Sequence, residues 1–357
     1  MTHPFLCTPL LLATMAMAAM ALSAVAQRAP MDPSHTLGVE SCRECHDSIV
    51  ESWERSRHAT SLTTLTRSEA ARTIAHLAGI KPDTITTSGS CARCHFTQET
   101  LSGALQTTAA VSCESCHGGA SEWIDLHNSK SRSRGQRVAE ASAHGMKHPA
   151  ATFAVAKSCF ECHVVDDEQL VNKAGHPALS AGFELLSWYS GDVKHNFLVS
   201  KEGKAVKSNS GEPQPLPASR QRVLYLSGKL LHLSHSLSAI ASSTDAPVDK
   251  DGKLLLLPSG LPTYAVQHAL TAQNLVDELT TLQKQLPLPE LAQVTGLMSG
   301  TPLSTGHAEE IASAAREVER LAEQFSQKND GANLAALDRI IAQLSPANPK
   351  AKLTSNR

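Results

Sequence analysis

The chain has 357 residues, which is long enough for two domains. Its 32 lysines and arginines nearly balance its 34 aspartates and glutamates, so it has no basic surplus that would indicate binding to nucleic acid. Aromatic residues make up only 4% of the chain, which leaves the first half short of side chains that could fill a core.

Residues 1–26 predict a secretory signal peptide. An apolar stretch runs from Pro9 to Leu22, and the A-x-A ending at Ala26 predicts cleavage before Gln27. The segment contains no Lys or Arg, and an uncleaved membrane anchor is the alternative, although the stretch is short for a spanning helix. No later segment predicts a membrane span, so the mature chain is expected in the periplasm, with a membrane-associated or cell-surface location as the alternative.

Four copies of Cys-x-x-Cys-His follow the signal peptide and use every cysteine of the mature chain. This motif is the attachment signature of c-type haem: two thiols bond to the porphyrin, and the histidine becomes the proximal iron ligand. The predicted thioether cysteines are Cys42, Cys45, Cys91, Cys94, Cys113, Cys116, Cys159 and Cys162. The predicted proximal ligands are His46, His95, His117 and His163. The expected cofactors are therefore four covalently bound haem c groups.

Zinc binding and redox disulfides are the alternatives for Cys-x-x-Cys pairs. A zinc site needs four clustered ligands and has no need of a histidine directly after each second cysteine. A thioredoxin-like motif would occur once, near a βαβ pattern. Residues 27–200 are therefore predicted to form a tetrahaem cytochrome c domain in which porphyrin faces supply the core, so the haem-free form should fold poorly.

A low-spin haem iron takes a second axial ligand, most often another histidine. Eight further histidines lie in the haem half, which leaves some of them surplus. The favoured distal ligands are His58, His127, His176 and His195, and His148 is the next choice. Met146 is a less favoured ligand.

The chain changes character after the haem half. Residues 201–218, with proline at alternate positions from Pro213 to Pro217, predict a linker, and residues 219–345 predict a haem-free helical bundle. Four stripes of apolar residues at helical spacing support the bundle: Val223, Leu226, Leu230, Leu233, Leu237 and Ile240; Leu275, Leu279, Leu282 and Leu286; Ile311, Ala315, Val318, Leu321 and Phe325; and Leu334, Leu337, Ile341 and Leu344.

The predicted fold class is mainly α, with little regular structure around four haems and an antiparallel helical bundle after them. His232 and His235 lie one turn apart on the first predicted helix of the bundle and form a pair that could bind a metal. A role as core or solvent-exposed residues is favoured over metal binding. Residues 346–357 predict a disordered tail.

Three segments resemble the tetrahaem cytochrome c-554 family, which is related to hydroxylamine oxidoreductase. They are CRECHDSIVESWERSRHA, CESCHGGASEW, and CFECH with the downstream AGHPALSAGFELLSW, and the resemblance covers about residues 41–197. The resemblance implies closely spaced haems, mostly with two histidine ligands, that pass electrons in the periplasm. It also allows one five-coordinate haem, but no motif indicates which. The second half departs from the small prototype.

The favoured function is electron transfer between redox partner proteins, one of them a membrane quinol-linked complex for which the bundle would be a docking module. The second and third motifs begin only 22 positions apart, which favours close contact between their haems. The alternative is a haem enzyme that reduces or oxidises a small nitrogen compound at one five-coordinate iron. No catalytic residue is assigned, and the surplus of histidines favours the carrier.

Overall fold

The computed structural model describes residues 31–191, 216–244, 253–258 and 260–344. The predicted signal peptide, His195, most of the predicted linker and the predicted tail lie outside the described residues.

The first half consists of short helices and one hairpin. The helices are α1 (Val39–Glu54), α2 (Arg57–Arg67), α3 (Glu69–Leu77), α4 (Gly89–His95), α5 (Cys113–His117), α6 (Ile124–His127), α7 (Arg134–Ala143), α8 (Thr152–His163), α9 (Glu168–Asn172) and α10 (Leu185–Gly191). The predicted mainly α class is confirmed. This half holds more helix than the expected little regular structure, because each Cys-x-x-Cys-His motif itself lies in a helix.

The hairpin fills the short gap between the second and third motifs. Strands β1 (Thr97–Leu101) and β2 (Ala104–Ala109) pair antiparallel, and Leu101 faces Ala104 across the turn. Ser102 and Gly103 both have positive φ (51° and 79°), as a two-residue hairpin turn of this twist requires. At the other end, the Thr97 hydroxyl donates to the Ala110 carbonyl at 2.7 Å. The chain thus returns directly to the third motif.

The second half is built around the long helix α11 (Ala218–Ser242), which packs against α12 (Tyr264–Gln283) and α14 (Ala308–Lys328). Helices α13 (Pro289–Ser299) and α15 (Asp338–Ile341) complete it. The residues of the first three predicted stripes are buried. The fourth stripe differs: Leu334 and Leu337 are buried in a 3-10 turn, whereas Ile341 and Leu344 are only partly buried. No helix of the described residues is both long and apolar enough to cross a membrane.

One hydrophobic core joins the two halves. Phe160 of α8 and Leu185 and Leu186 of α10 are at most 3% exposed and pack in the same cluster as the leucines of α11. The helix that carries the fourth motif is therefore anchored on the bundle. The division into a haem domain and a bundle stays a prediction.

Gly228 makes the close approach of α10 to α11 possible. A Cβ atom at this position would lie 3.0 Å from Cβ and 3.1 Å from Cδ2 of Leu185, which is buried in the core. Gly228→Ala should lower the free energy of unfolding by about 1–2 kcal/mol through overpacking. Gly296→Ala is the matched control, because no atom lies within 4 Å of the position that its Cβ would take and the helix gains roughly 0.5–1 kcal/mol. Urea unfolding of both variants checks that the two substitutions change the free energy of unfolding in opposite directions.

Three histidines lie in the interior of the bundle. His268 is fully buried and neither ring nitrogen has a hydrogen-bond partner, although the Val165 backbone lies close to the ring. Nε2 of His232 and of His235 is also without a partner. Burial lowers the pKa of His232 to about 4 and that of His268 to about 3. The described residues contain no cluster of three metal-binding side chains. These histidines are core residues held in the neutral form.

The neutral histidines should make the bundle sensitive to acid. The pKa of His268 is lower in the folded state, so below about pH 6.5 the unfolded chain binds a proton that the folded chain does not. Stability is then lost as the pH falls, by roughly 2 kcal/mol at pH 5 for this residue. His268→Phe should remove most of that loss. Thermal unfolding at pH 5 and pH 7.5 tests it against His307→Phe, a surface control in the same half; equal pH sensitivity in the two variants would contradict the assignment.

Candidate haem-binding site

Each motif places its two cysteines one helical turn apart on a single face of a helix. In α4, α5 and α8 the motif histidine is the last helical residue. In α1 the helix continues, but His46 itself has non-helical angles (φ −122°, ψ 35°). His46 lines the same cavity as Cys42 and Cys45.

The third motif turns sharply after its histidine. Gly118 has φ 86°, and a Cβ atom there would lie 2.3 Å from the Gly145 carbonyl oxygen. Only glycine fits this position. The turn brings Lys147 beside the motif, where its backbone N–H donates to the His117 carbonyl at 2.9 Å.

Three predicted distal ligands each face a predicted proximal ligand. The ring centres are 6.3 Å apart for His46 and His127, 6.1 Å for His163 and His58, and 6.2 Å for His95 and His176. The two rings are inclined by 29° in the first pair and by 62° in each of the other two. In each pair the two histidines come from different motif segments.

These distances fit an iron held between two imidazoles. An iron with two axial imidazoles needs ring centres roughly 6 Å apart, because a metal–nitrogen bond is about 2 Å long and each nitrogen lies about 1 Å from its ring centre. A porphyrin would supply the other four nitrogens to such an iron. The donor set therefore fits haem c.

Two adjoining cavities run between the motifs. One, of about 390 Å³, is lined by cysteines and histidines of the first and third motifs and by His127. The other, of about 240 Å³, is lined by residues of the second, third and fourth motifs. Cys116, His117 and His58 line both cavities. The two cavities together are therefore lined by residues of all four predicted attachment sites.

The motifs contact one another in a fixed order. The thiols of Cys42 and Cys113 interact directly, which joins the first motif to the third. The Ser158 hydroxyl donates to the Cys116 carbonyl at 3.4 Å, which joins the third to the fourth.

The second and fourth motifs contact each other reciprocally. Cys94 Sγ lies 4.0 Å from the Glu161 carbonyl oxygen, and Cys162 Sγ lies 3.9 Å from the Arg93 carbonyl oxygen. The Arg93 guanidinium, which is mostly buried, also forms an ion pair with Asp166. The spatial order of the motifs is first, third, fourth, second.

Burial keeps the motif histidines neutral. It lowers the pKa of His163 to about 3, with further contributions from His58 and His95, and that of His95 to about 4, with a contribution from His176. Burial also lowers the pKa of His46 and His117. Neutral imidazole is the form that binds metal, so the protein environment favours the ligating state.

Hydrogen bonds at Nδ1 orient several of these rings. The Lys147 carbonyl lies 2.9 Å from His117 Nδ1 and the Pro177 carbonyl 2.8 Å from His176 Nδ1, and the Ile124 carbonyl contacts His127 Nδ1. For His163 the partner is a side chain, the Ser180 hydroxyl at 2.8 Å. A proton held at Nδ1 leaves Nε2 free to bind iron.

The other predicted distal candidates have different outcomes. His148 lines the larger cavity, its Nδ1 accepts from the Ala150 N–H at 3.1 Å, and burial, Arg134 and His117 lower its pKa. His195 lies outside the described residues.

Sequence reasoning missed the residues that surround His163 and the residue that holds the backbone just before α1. The Phe183 ring stacks on the His163 imidazole with centres 4.3 Å apart and planes inclined by 5°, and Trp188 meets it edge-on. Both lie in a segment that carried the family resemblance. The buried carboxylate of Glu114 accepts from the backbone N–H groups of Leu37, Gly38 and Ala120 at 2.9–3.0 Å. The only sequence signal for this contact is that Glu114 is an acidic residue between the two cysteines of the third motif.

Residues 41–118 match the model of the family described as cytochrome c554 and c-prime. The match contains the first three motifs and the hairpin, and it confirms the predicted resemblance for this part of the chain. No curated protein and no solved structure is significantly similar to the chain. We conclude that residues 41–118 are similar to the cytochrome c554 and c-prime family, whose members are c-type cytochromes.

Proposed function

We propose that the chain is a periplasmic tetrahaem cytochrome that passes electrons between redox partners through four closely spaced haems. The observation that carries the proposal is the set of three histidine pairs with ring centres 6.1–6.3 Å apart, each beside a Cys-x-x-Cys motif. A chance arrangement of histidines would not repeat one metal-compatible spacing at three motifs.

The pairs give the proposed iron ligands. His46 and His127 would bind the first haem, His95 and His176 the second, and His163 and His58 the fourth. The proximal ligand of the third is His117, and the remaining candidates for its distal position are His148 and His195. The cysteines of each motif would carry the thioether bonds.

The proposed electron path follows the contacts between motifs, in the order first, third, fourth, second. Haem supplies a one-electron iron couple when bound. The protein holds the histidines neutral and oriented. It also keeps neighbouring attachment sites in contact, so that an electron could pass from one haem to the next without movement of the chain. Bis-histidine ligation also favours low potentials.

The second half is proposed to hold the fourth motif in place and to dock a partner. Helix α8 shares its core with α11 through Phe160, so a partner bound to the bundle would lie close to the fourth haem. A membrane quinol-linked complex is the proposed partner.

Low-temperature EPR of the oxidised holoprotein, with a pyridine haemochrome count, tests the proposal. Four haems are expected, all low-spin. The two pairs inclined by 62° should give more anisotropic signals than the pair inclined by 29°, because crossed imidazole planes split the iron d orbitals less than near-parallel ones. Fewer than four haems would overturn the tetrahaem proposal. A high-spin signal that shifts with nitric oxide would instead favour the enzyme alternative.

A further inference from the structure

His163 differs from three other histidines of the site in the partner of its Nδ1 atom. His117, His127 and His176 face backbone carbonyl oxygens, which no substitution can remove. His163 faces the Ser180 hydroxyl at 2.8 Å. This hydrogen bond therefore depends on the choice of side chain at position 180.

We infer that Ser180 is a positioning residue that acts through its hydrogen bond with His163 Nδ1 and sets the redox potential of the haem whose iron His163 would bind. The inference rests on the proposed function, because it requires a haem at the fourth motif. If Nε2 binds the iron, Nδ1 carries the proton and donates it to Ser180 Oγ. An acceptor at Nδ1 makes the imidazole more basic, and a more basic ligand stabilises the oxidised iron.

The kind of acceptor matters as well as its presence. A hydroxyl oxygen carries less negative charge than an amide carbonyl oxygen and is the weaker acceptor. His163 should therefore donate less electron density to its iron than it would beside a backbone carbonyl. Ser180 would hold the potential of the fourth haem at an intermediate value, above that given by a carbonyl acceptor and below that of an imidazole with no acceptor.

The backbone holds Ser180 in place independently of its hydroxyl. Its N–H donates to the His163 carbonyl at 3.1 Å, and its carbonyl accepts from the Phe183 N–H at 3.0 Å. Val164 and Leu179 form an antiparallel bridge next to these bonds, and the Val165 N–H donates to the Ala178 carbonyl at 2.9 Å. Removing the hydroxyl should therefore leave this segment folded.

Aromatic contacts restrict the His163 ring from a second direction. Phe183 stacks on it at 4.3 Å, and Trp188 meets it edge-on at 5.2 Å. With the ring held by these neighbours, loss of the hydrogen bond should change the basicity of the imidazole more than its orientation. That separates an electronic effect of Ser180 from a structural one.

Spectroelectrochemical titration of the full holoprotein tests the inference. Ser180→Ala should raise the midpoint potential of one of the four haem components and leave the other three unchanged. Ser180→Thr keeps a hydroxyl and should restore the wild-type curve. Ser180→Cys, with a weakly accepting sulfur, should shift the same component in the same direction by less. The Ser180→Cys variant provides the test if the alanine variant does not acquire its haems.

Ser187→Ala is the matched control, because the Ser187 hydroxyl donates to the Glu184 carbonyl at 3.1 Å in the same segment. It should move no component. Superimposable curves for wild type, Ser180→Ala and Ser180→Cys would overturn the role of Ser180 while leaving the tetrahaem proposal intact. A wild-type protein with no haem at the fourth motif would overturn both.

Discussion

Replacing His58 by alanine should convert one quarter of the haem iron from low-spin to high-spin, and the affected haem should be the one at the fourth motif. The centre of the His58 ring lies 6.1 Å from that of His163 in the fourth motif, although His58 follows the first motif in the sequence. Alanine leaves the iron with one axial imidazole, and a five-coordinate haem is high-spin. EPR and the visible spectrum of the oxidised protein measure the change.

The local structure explains why His58 reaches the fourth motif. The Trp53 indole N–H donates to the Val111 carbonyl at 2.8 Å, which fixes the end of α1 against the segment before the third motif. Ser56 caps α2 through the Ala59 N–H, and the Arg57 guanidinium lies 6.0 Å from the centre of the Trp188 ring. The start of α2 is thus held between two distant segments, and His58 points at the fourth motif from there.

His76→Ala is the control for this prediction, since His76 is an exposed histidine on the next helix, α3. It should leave all haems low-spin. The affected haem is identified in a Cys159→Ala, Cys162→Ala background that lacks the fourth haem: adding His58→Ala there should produce no high-spin signal. A high-spin signal in that background would assign His58 to another iron and break the proposed pairing.

The pairing of the histidines marks the limit of what the sequence could predict. The Cys-x-x-Cys-His motifs predict the attachment residues, and apolar spacing predicts α11, α12 and α14, because both signals are local. His58, His127 and His176 were selected as distal ligands, but none of their partners is adjacent in sequence. Each predicted distal ligand lies beside a motif of another segment, and such pairings depend on long-range contacts such as that of Trp53 with Val111.

Other elements were missed for local reasons. Helix α13 begins at Pro289 and has only 11 residues, so its apolar positions are too few to form a clear stripe. The hairpin from Thr97 to Ala109 buries polar Thr97 and Glu99 and exposes Leu101 and Leu105, so it lacks the alternation of buried apolar and exposed polar residues that predicts a strand. Ser180 lies in a segment that carried the family resemblance, and its bond to His163 is visible only once the two segments pair.

Preventing haem attachment should unfold α1–α7 and leave the bundle folded. Among the described residues before α8, only two small apolar clusters occur, one of Ala75, Ile85, Ala92 and Phe96 and the other of Ala120, Trp123, Ala141 and Met146. The cavities of about 240 and 390 Å³ separate the motif helices. Without porphyrin faces the apolar area buried in this half cannot offset the conformational entropy of ordering it. The core of α11, α12 and α14 is closely packed without any cofactor and should persist.

Hydrogen exchange read by mass spectrometry on a variant with all eight motif cysteines changed to alanine measures this. Amides of α1–α7 should exchange as in an unfolded chain, while those of α11, α12 and α14 keep the protection of the holoprotein. Helix α8 is the informative intermediate. Its Ala156 and Phe160, and Val164 directly after it, belong to the bundle core, so it should keep protection between that of α1–α7 and that of the bundle. Native-like protection of α1–α7 would show that this half has a core of its own and that its fold does not depend on haem.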